Sequence, residues 1–465
     1  MLKFTTFKEK HLKKIQKYTA LSPYKICDLS AGVLYMWNDV YNLSFAEFDE
    51  TLILKCNFKN KTTVFFLPLG KNFEGALSEI ERYTIENGLP LKFMCVEDEY
   101  LPFFKARYGL DFTAEYDRDF SDYLYDYEKL ETLVGKKFSG QRNHINAFRK
   151  TYPTAKFRKL LKSDLPKVKE FLNEYKKEHS GGGRIEKNEF KNTLKLVDNL
   201  SLASFEGGVM EIDKKLASFT IGEYAGETLI IHIEKALKNY RGIYPATFNS
   251  FLKLCKKDGI NFINREDDSG DLGLRTSKTQ YQPERLVHKH FVEIDKPMKI
   301  KTPPVLRGDR VVLSKITKED KEFYYKLYTS KSLNKYWGYD YKKDIKTPSK
   351  EAFFDMQKND FRKKNNLCLL VRDKFTKTPM GEVVFHNFSY DKKVEIGIRL
   401  SKKYHGKGFA TESLALAINY ATSVLGLTPV AKCYIENEKS LSALKSAGFS
   451  VDFKDEKFYY LIYHS

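Results

Sequence analysis

Between Val394 and Tyr420 the chain changes its hydrophobic period. Val394, Ile396, Ile398 and Leu400 alternate with Glu395, Gly397 and Arg399, the two-residue repeat of a strand with one buried face. A turn containing Gly406 and Gly408 follows, and Phe409 to Tyr420 reads as a helix. The glycines allow close backbone approach to a ligand, and the helix start aims unpaired N–H groups and its positive dipole end at the turn. Strand, glycine turn and helix start together predict a phosphate cradle. Beyond it the pattern gives a strand over Pro429 to Ile435, a helix from Asn437 that ends at Gly448-Phe449, and a last strand.

The same reading predicts an α+β arrangement in the first 120 residues. A basic amphipathic helix covers His11 to Ala20, short strands Val33–Trp37, Leu52–Cys56 and Thr63–Leu69, a helix Phe73–Glu86 and a strand Leu91–Val96. Further on, Gly207–Ile212 and Leu216–Glu223 read as a hairpin and Thr228–Ala236 as another strand. That strand runs through Arg241-Gly242 into a helix from Ala246 to Lys256, with Pro245 in the first turn. Gly181-Gly182-Gly183 reads as a hinge or turn. Asp295 to Pro304 is a proline- and lysine-rich linker, and Leu306 to Leu313 opens the last domain as a strand. Thr317 to Asp320 has the capping-box pattern for the next helix.

Lys403-Tyr404-His405-Gly406-Lys407-Gly408 resembles motif A (Gln/Arg-x-x-Gly-x-Gly/Ala) of the GNAT acetyltransferases, with Lys at the first position. Asn437-Glu438-Lys439-Ser440, on a helix ending in Gly448-Phe449, resembles that family's Asn-x-x-Ser helix. Residues 306 to 465 resemble its ribosomal-protein N-acetyltransferase branch. The resemblance implies acetyl-CoA held by Ile398, Leu400, Lys403, Gly406, Lys407, Gly408, Phe409 and Ala410. Asn437 would bond the pantetheine arm and Ser440 would protonate the CoA sulfur. Glu395, on the strand leading into the turn, is a candidate to take the proton of an attacking amine. A salt-bridged surface carboxylate is the other reading of Glu395, and a helix-satisfying hydroxyl that of Ser440. His405 lies inside the turn, where its side chain is expected to point outward, and it is not a candidate base.

Composition widens the picture. The chain has 465 residues, 42% hydrophobic and 14% aromatic, enough for two or three domains with full cores and unlike a disordered chain. Its formal charge of +19 points to an anionic partner (CoA, RNA or an anionic membrane surface), although an AT-rich coding bias towards lysine accounts for part of it. Six scattered cysteines without a Cys-x-x-Cys pair suggest neither a zinc site nor a disulfide framework. No signal-like segment and no spanning apolar run is read, so a cytoplasmic protein, at most peripheral to a membrane, is expected.

The charge is concentrated. From Glu128 to Lys162 there are ten Lys/Arg against two acidic residues, centred on a helix-patterned stretch, Lys136 to Lys150, with Ile145 and Phe148 at helical spacing. Such a face is either solvated or phosphate-tracking. Asn264 to Lys278 is a second cluster, of both signs, at a strand end, where Asp267 and Asp268 are expected to cap a helix or bind a metal; a calcium site is not indicated.

Lys136–Lys150, His232–Ala236 and Asn264–Arg275 resemble the DUF2156 family, related to the catalytic domain of phosphatidylglycerol lysyltransferases. This resemblance covers roughly residues 1 to 295. It implies a tandem of GNAT-like lobes that use aminoacyl-tRNA as donor, and the Arg241-Gly242 turn then reads as a degenerate copy of the Gly406 turn. Arg142, Arg241, Gly242, Arg265, Arg275 and Lys278 would bind the tRNA end or another polyanion, and Glu266 or Asp267 the amino group of the transferred residue.

The expected organisation is three GNAT-like acyltransferase lobes, each a mixed, mostly antiparallel sheet flanked by helices. Lobes at 1–125 and 126–295 are joined by a linker, 296–305, to an N-acetyltransferase domain at 306–465. The N-terminal half is expected to move an aminoacyl group, and the C-terminal domain an acetyl group onto an amine. The alternatives are a non-catalytic RNA- or anion-binding module that targets one acetyltransferase, and a second CoA cradle at Arg241-Gly242.

Overall fold

The computed structural model describes residues 2–59, 62–178, 184–200, 203–343 and 345–464. The triple glycine 181–183 lies outside them. The chain forms two compact units, one of Met1–Ile80 with Leu91–Ile294, the other of Glu81–Pro90 with Asp295–Ser465.

The first unit is built on two sheets. One runs in the order Thr5–Thr6, Leu43–Phe48, Thr51–Asn57, Thr63–Phe65, Leu91–Val96, His290–Ile294, Phe112–Tyr116. Among the described residues its one parallel pair joins Thr63–Phe65 to Leu91–Val96. The other runs Arg285–Val287, Asp122–Asp126, Phe262–Asn264, Thr228–Ala236, Lys215–Ala225, Glu206–Ile212, Lys156–Lys159, with Thr228–Ala236 and Phe262–Asn264 parallel. His290–Ile294 follows every strand of the second sheet in sequence, yet it pairs on both sides within the first.

Three local expectations are corrected, the first being that Leu306 to Leu313 is not one strand but two antiparallel ones, Leu306–Arg307 and Val311–Ser314. Val33 to Trp37 is not a strand: Ala31–Met36 is a helix, with Ser30 Oγ accepting the Val33 N–H. All six helix residues are buried, so no polar face marks a period, and an apolar run this short reads equally as strand or helix. The strand expected over Thr63–Leu69 breaks into Thr63–Phe65 and Leu69–Gly70. Pro68 lies in the break, where it lacks a ladder donor and its carbonyl accepts from the Tyr24 hydroxyl at 2.7 Å.

The second unit has one sheet in the order Leu306–Arg307, Val311–Ser314, Leu367–Asp373, Pro379–His386, Lys393–Leu400, Thr428–Tyr434, Phe458–Tyr463, Phe449–Lys454. Its two faces bury different layers. Val394, Ile396 and Leu400 pack with Leu414, Ala417 and Ile418 of the helix Phe409–Asn419. Cys368, Leu370 and Val384 pack on the other face with Tyr324, Tyr328 and Phe353, from the helices Lys321–Thr329 and Lys350–Arg362. The capping box at Thr317 forms as expected, its N–H and hydroxyl both donating to Asp320 Oδ2. No described helix is long and apolar enough to cross a membrane.

Candidate active site

The strand Lys393–Leu400 pairs with Pro379–His386 from Gly381↔Leu400 to His386↔Glu395. On its other side it pairs with Thr428–Tyr434 only at Lys393, Val394 and Glu395. Beyond Glu395 the two parallel strands no longer pair. Ile398 and Leu400 line a cleft of about 1880 Å3 together with Gly406, Gly408, Ala410, Asn437 and Ser440. That exceeds the roughly 300–1,000 Å3 of a drug-sized site and leaves room for two substrates.

The turn fits a pyrophosphate. Gly406 and Gly408 have φ of +71° and +79°, where a side chain is strained, and a Cβ on Gly406 would meet nothing within 4 Å. Gly408 is the N-cap of the helix Phe409–Asn419, and among the described residues no side chain caps it. The first-turn amides are thus left to an anion in the turn. Arg310, which the sequence did not single out, braces the turn from the first strands. Its Nη1 donates to the Lys407 carbonyl at 3.0 Å, its Nε to Glu412 at 2.9 Å, and its guanidinium lies 4.9 Å from the Phe409 ring centre. Burial would raise the Glu412 pKa, but bonds from Arg310 and the Val311 amide hold it below its usual value. Lys403 and Lys407 are exposed, and the Lys403 ammonium lies 4.9 Å from the Tyr404 ring centre. His405 is exposed, and its Nε2 bonds the Leu400 carbonyl at 2.8 Å. Asn437 is a helix N-cap whose Oδ1 accepts the Ser440 N–H at 3.3 Å.

The opposite face of the same strand carries a second polar row. Residues opposite each other across two strands project on one face, which places Glu382 beside Arg399, Val384 beside Gly397 and His386 beside Glu395. Arg399 Nε donates to Glu382 at 2.6 Å, and its guanidinium lies 4.1 Å from the Tyr328 ring centre and 4.4 Å from that of Trp337. Glu395 accepts from Asn387 Nδ2 at 2.8 Å and lies 3.8 Å from His386 Nε2. Neither His386 nor Trp337 was found by sequence reasoning, because each meets the site only through strand or helix neighbours far along the chain.

In the first unit, five of the residues expected to bind a donor, Arg265, Glu266, Asp267, Arg275 and Lys278, are drawn into one network of bonds. Arg265 is buried between the Phe248 and Tyr281 rings and bonds Glu234 at 2.9 Å. Glu266 accepts from His232 Nδ1 at 2.8 Å, and His232 Nε2 meets Glu223 at 2.9 Å. Burial alone would lower the His232 pKa; the two carboxylates outweigh it and hold it at about 9. Asp267 faces Lys289 at 3.2 Å, and the same ammonium lies 2.9 Å from Asp28 and 2.8 Å from Asp122. It therefore fills the position that Cys27, Asp28 and Asp122 could offer to a metal ion. Arg275 pairs with Asp268 at 2.9 Å and Asp119 at 2.6 Å, and Lys278 donates to the Arg265 carbonyl at 2.7 Å. Neither Asp267 nor Asp268 caps the helix Leu272–Thr279: Asp271 does, accepting the Leu274 N–H at 2.7 Å, three residues before it as a cap requires. Arg142 donates to the Gly135 carbonyl at 2.8 Å. Arg142 lies outside that network, as do Arg241, which is exposed, and Gly242, the N-cap of the helix Ile243–Leu254.

Comparison with known proteins agrees with this geometry. The family described as "Phosphatidylglycerol lysyltransferase, C-terminal" matches residues 19–292, and the one described as "Acetyltransferase (GNAT) domain" matches residues 310–450. An uncharacterised protein of Mycoplasmoides gallisepticum is 24% identical over 60% of this chain and 92% of its own length. Spermidine N(1)-acetyltransferase of Escherichia coli K12 is 29% identical over 30% of this chain and 74% of its own. A solved structure of a conserved protein of unknown function from Bacteroides thetaiotaomicron superposes with a TM-score of 0.60 at 26% identity, covering 63% of this chain and all of that one. The uncapped glycine turn on a splayed strand, and the matching families on both sides of residue 300, make this chain an acyltransferase that belongs to the phosphatidylglycerol lysyltransferase C-terminal family and carries a GNAT acetyltransferase domain behind it.

Proposed function

We propose that the second unit transfers the acetyl group of acetyl-CoA to an amine. The observation that carries this reading is the uncapped start of the helix Phe409–Asn419 behind Gly406 and Gly408, which leaves backbone donors for a pyrophosphate at the mouth of a cleft large enough for cofactor and acceptor. Bound there, acetyl-CoA supplies an activated thioester carbonyl. Gly406, Gly408, Ala410 and the helix start hold its phosphates, Ile398 and Leu400 lie along its arm, Asn437 bonds that arm, and Ser440 returns a proton to sulfur. Calorimetry with acetyl-CoA tests the reading, with about one site per chain expected and none sinking it. A Gly242 turn that also binds would give two.

For the first unit we infer aminoacyl transfer from aminoacyl-tRNA, on family membership and on the exposed cations Arg149 and Lys150 of the helix Ser139–Thr151. The acceptor would be an amine or hydroxyl of unassigned identity. One observation favours a second reading, a targeting module that binds RNA without turnover. Glu266, Asp267, Arg265 and Arg275 are already paired, with His232, Lys289, Glu234 and Asp268 respectively, and Lys278 donates to the Arg265 carbonyl. Binding of aminoacylated tRNA against the same tRNA stripped of its amino acid decides between them. Preference for the charged form supports transfer, and equal, salt-sensitive binding supports targeting.

A further inference from the structure

Within the cleft, two polar pairs flank a gap. Glu382–Arg399 and His386–Glu395 are both cross-strand partners on the same face, and between them stands Val384 opposite a glycine, Gly397. The missing side chain opens a notch. A Cβ at Gly397 would point to within 3.3 Å of the Trp337 ring and 3.7 Å of His386 Nε2, so the notch is walled by an indole and by an imidazole nitrogen. The inner pair is closed, with Glu382 and Arg399 at 0% and 4% side-chain exposure. The outer pair is open, with His386 and Glu395 at 34% and 20%, and both line the cleft.

The outer pair is also unfinished. His386 Nε2 and Glu395 Oε1 stand 3.8 Å apart, too far for a hydrogen bond to each other. A nitrogen bonded to both at about 2.9 Å would lie roughly 2.2 Å off the line between them, with an angle near 80° at nitrogen, tolerable for two N–H donors. Glu395 is not free to swing into contact, because its other oxygen is held by Asn387 Nδ2 at 2.8 Å. Asn387 immediately follows the strand in a left-handed conformation (φ +49°), one that asparagine tolerates, and this aims its amide at the carboxylate.

We propose that this gap docks the acceptor amine and that His386 is the catalytic base, with Glu395 the ammonium-binding partner. An ammonium ion would donate one N–H to Glu395 Oε1 and one to His386 Nε2, with its carbon chain against Trp337. The proton step balances simply. The N–H bond directed at His386 breaks, its electron pair stays on nitrogen, and the proton joins the lone pair of Nε2, turning ammonium and neutral imidazole into amine and imidazolium. The other ring nitrogen, Nδ1, then gives up its own proton to water, and proton exchange with water restores the starting tautomer. The amine is left neutral, which attack on a carbonyl requires. The Glu395 carboxylate stabilises first the ammonium, then the imidazolium. This assignment rests on the acetyltransferase reading for its purpose, but not for its binding geometry.

Carbon-13 NMR of the histidine rings in the full chain, titrated with ethylammonium chloride, is the test. The chain has nine histidines, and the His386 signal is identified by its loss in H386Q. A saturable shift of that signal is expected with ethylammonium, absent with tetramethylammonium, which has no N–H, and absent in E395Q. The eight remaining signals report whether each variant is folded. An unmoved His386 signal in the wild type overturns the proposal, as does an equal shift in E395Q. Acetyl-CoA calorimetry on the same samples separates the two ideas: cofactor binding without a His386 response sinks this inference alone, and a response without cofactor binding sinks the acetyltransferase reading alone. With a lysine-containing peptide as acceptor, H386Q should lower kcat/KM about 100-fold with the acetyl-CoA Kd unchanged.

Discussion

Arg399 lies directly opposite Glu382 and bonds it at 2.6 Å, in a pocket where neither side chain is more than 4% exposed. Two neighbours also bond the pair: the Cys368 thiol donates to the other Glu382 oxygen at 2.9 Å, and Asn334 accepts from Arg399 Nη1. Removing one partner leaves a buried charge without compensation, which costs about 3–5 kcal/mol, whereas replacing both by apolar side chains costs far less. R399L should therefore shift urea unfolding of the full chain much more than R399L/E382L. Equal shifts would mean that the stacking on Tyr328 and Trp337, not the charge pair, is what matters.

Gly408→Ala forces a Cβ into a left-handed conformation, 3.1 Å from Arg310 Nη2. The backbone strain is about 1–2 kcal/mol, and relieving it closes the amide cradle. Acetyl-CoA affinity should fall about 5- to 30-fold by calorimetry, with little change in far-ultraviolet circular dichroism. Unaltered affinity would place the pyrophosphate elsewhere.

Gly397→Ala fills the notch beside Trp337 without touching the glycine turn. The expected outcome is a several-fold rise in KM for the amine with acetyl-CoA affinity preserved. Loss of cofactor binding instead would show that the two substrates share this part of the strand.

His232 links pH to the stability of the first unit. Its pKa is about 9 in the folded chain against an ordinary 6.5, so the protonated ring binds its proton more tightly when folded. The resulting stability is fully present below about pH 6.5 and is lost as the pH rises through about 9. Urea midpoints measured across that window should fall in the wild type. In H232Q the fall should be flattened; if it is not, other groups carry it.

Much of the architecture was legible. The helix Phe73–Glu86 and the strands Leu91–Val96 and Thr228–Ala236 have the expected limits, since each has a clear period or a long apolar run bounded by polar residues. The glycine turn was equally plain, because positive φ, helix entry and spacing are all local. Val33–Trp37 was misread because full burial erases the polar half of any repeat. The charged run Asn264–Lys278 was ambiguous for another reason: clustered opposite charges at a strand end look alike whether they await a ligand or, as with Arg275 and Asp268, neutralise each other. His386, Trp337 and Arg310 were invisible because their partners lie at least nine residues away in sequence, across strands whose register no local pattern reveals.

The position of His290–Ile294 has a consequence for how the chain is made. A ribosome delivers residues in order, and the first sheet lacks a member between Leu91–Val96 and Phe112–Tyr116 until that segment emerges. Until then the two flanking edges stay unpaired, a state prone to wrong partners and aggregation. Nucleation within the first lobe can begin early, but closure must wait for almost the whole unit. Residues 1–125 expressed alone therefore lack a strand that no shorter fragment supplies, and the smallest stretch able to complete both sheets extends to residue 294.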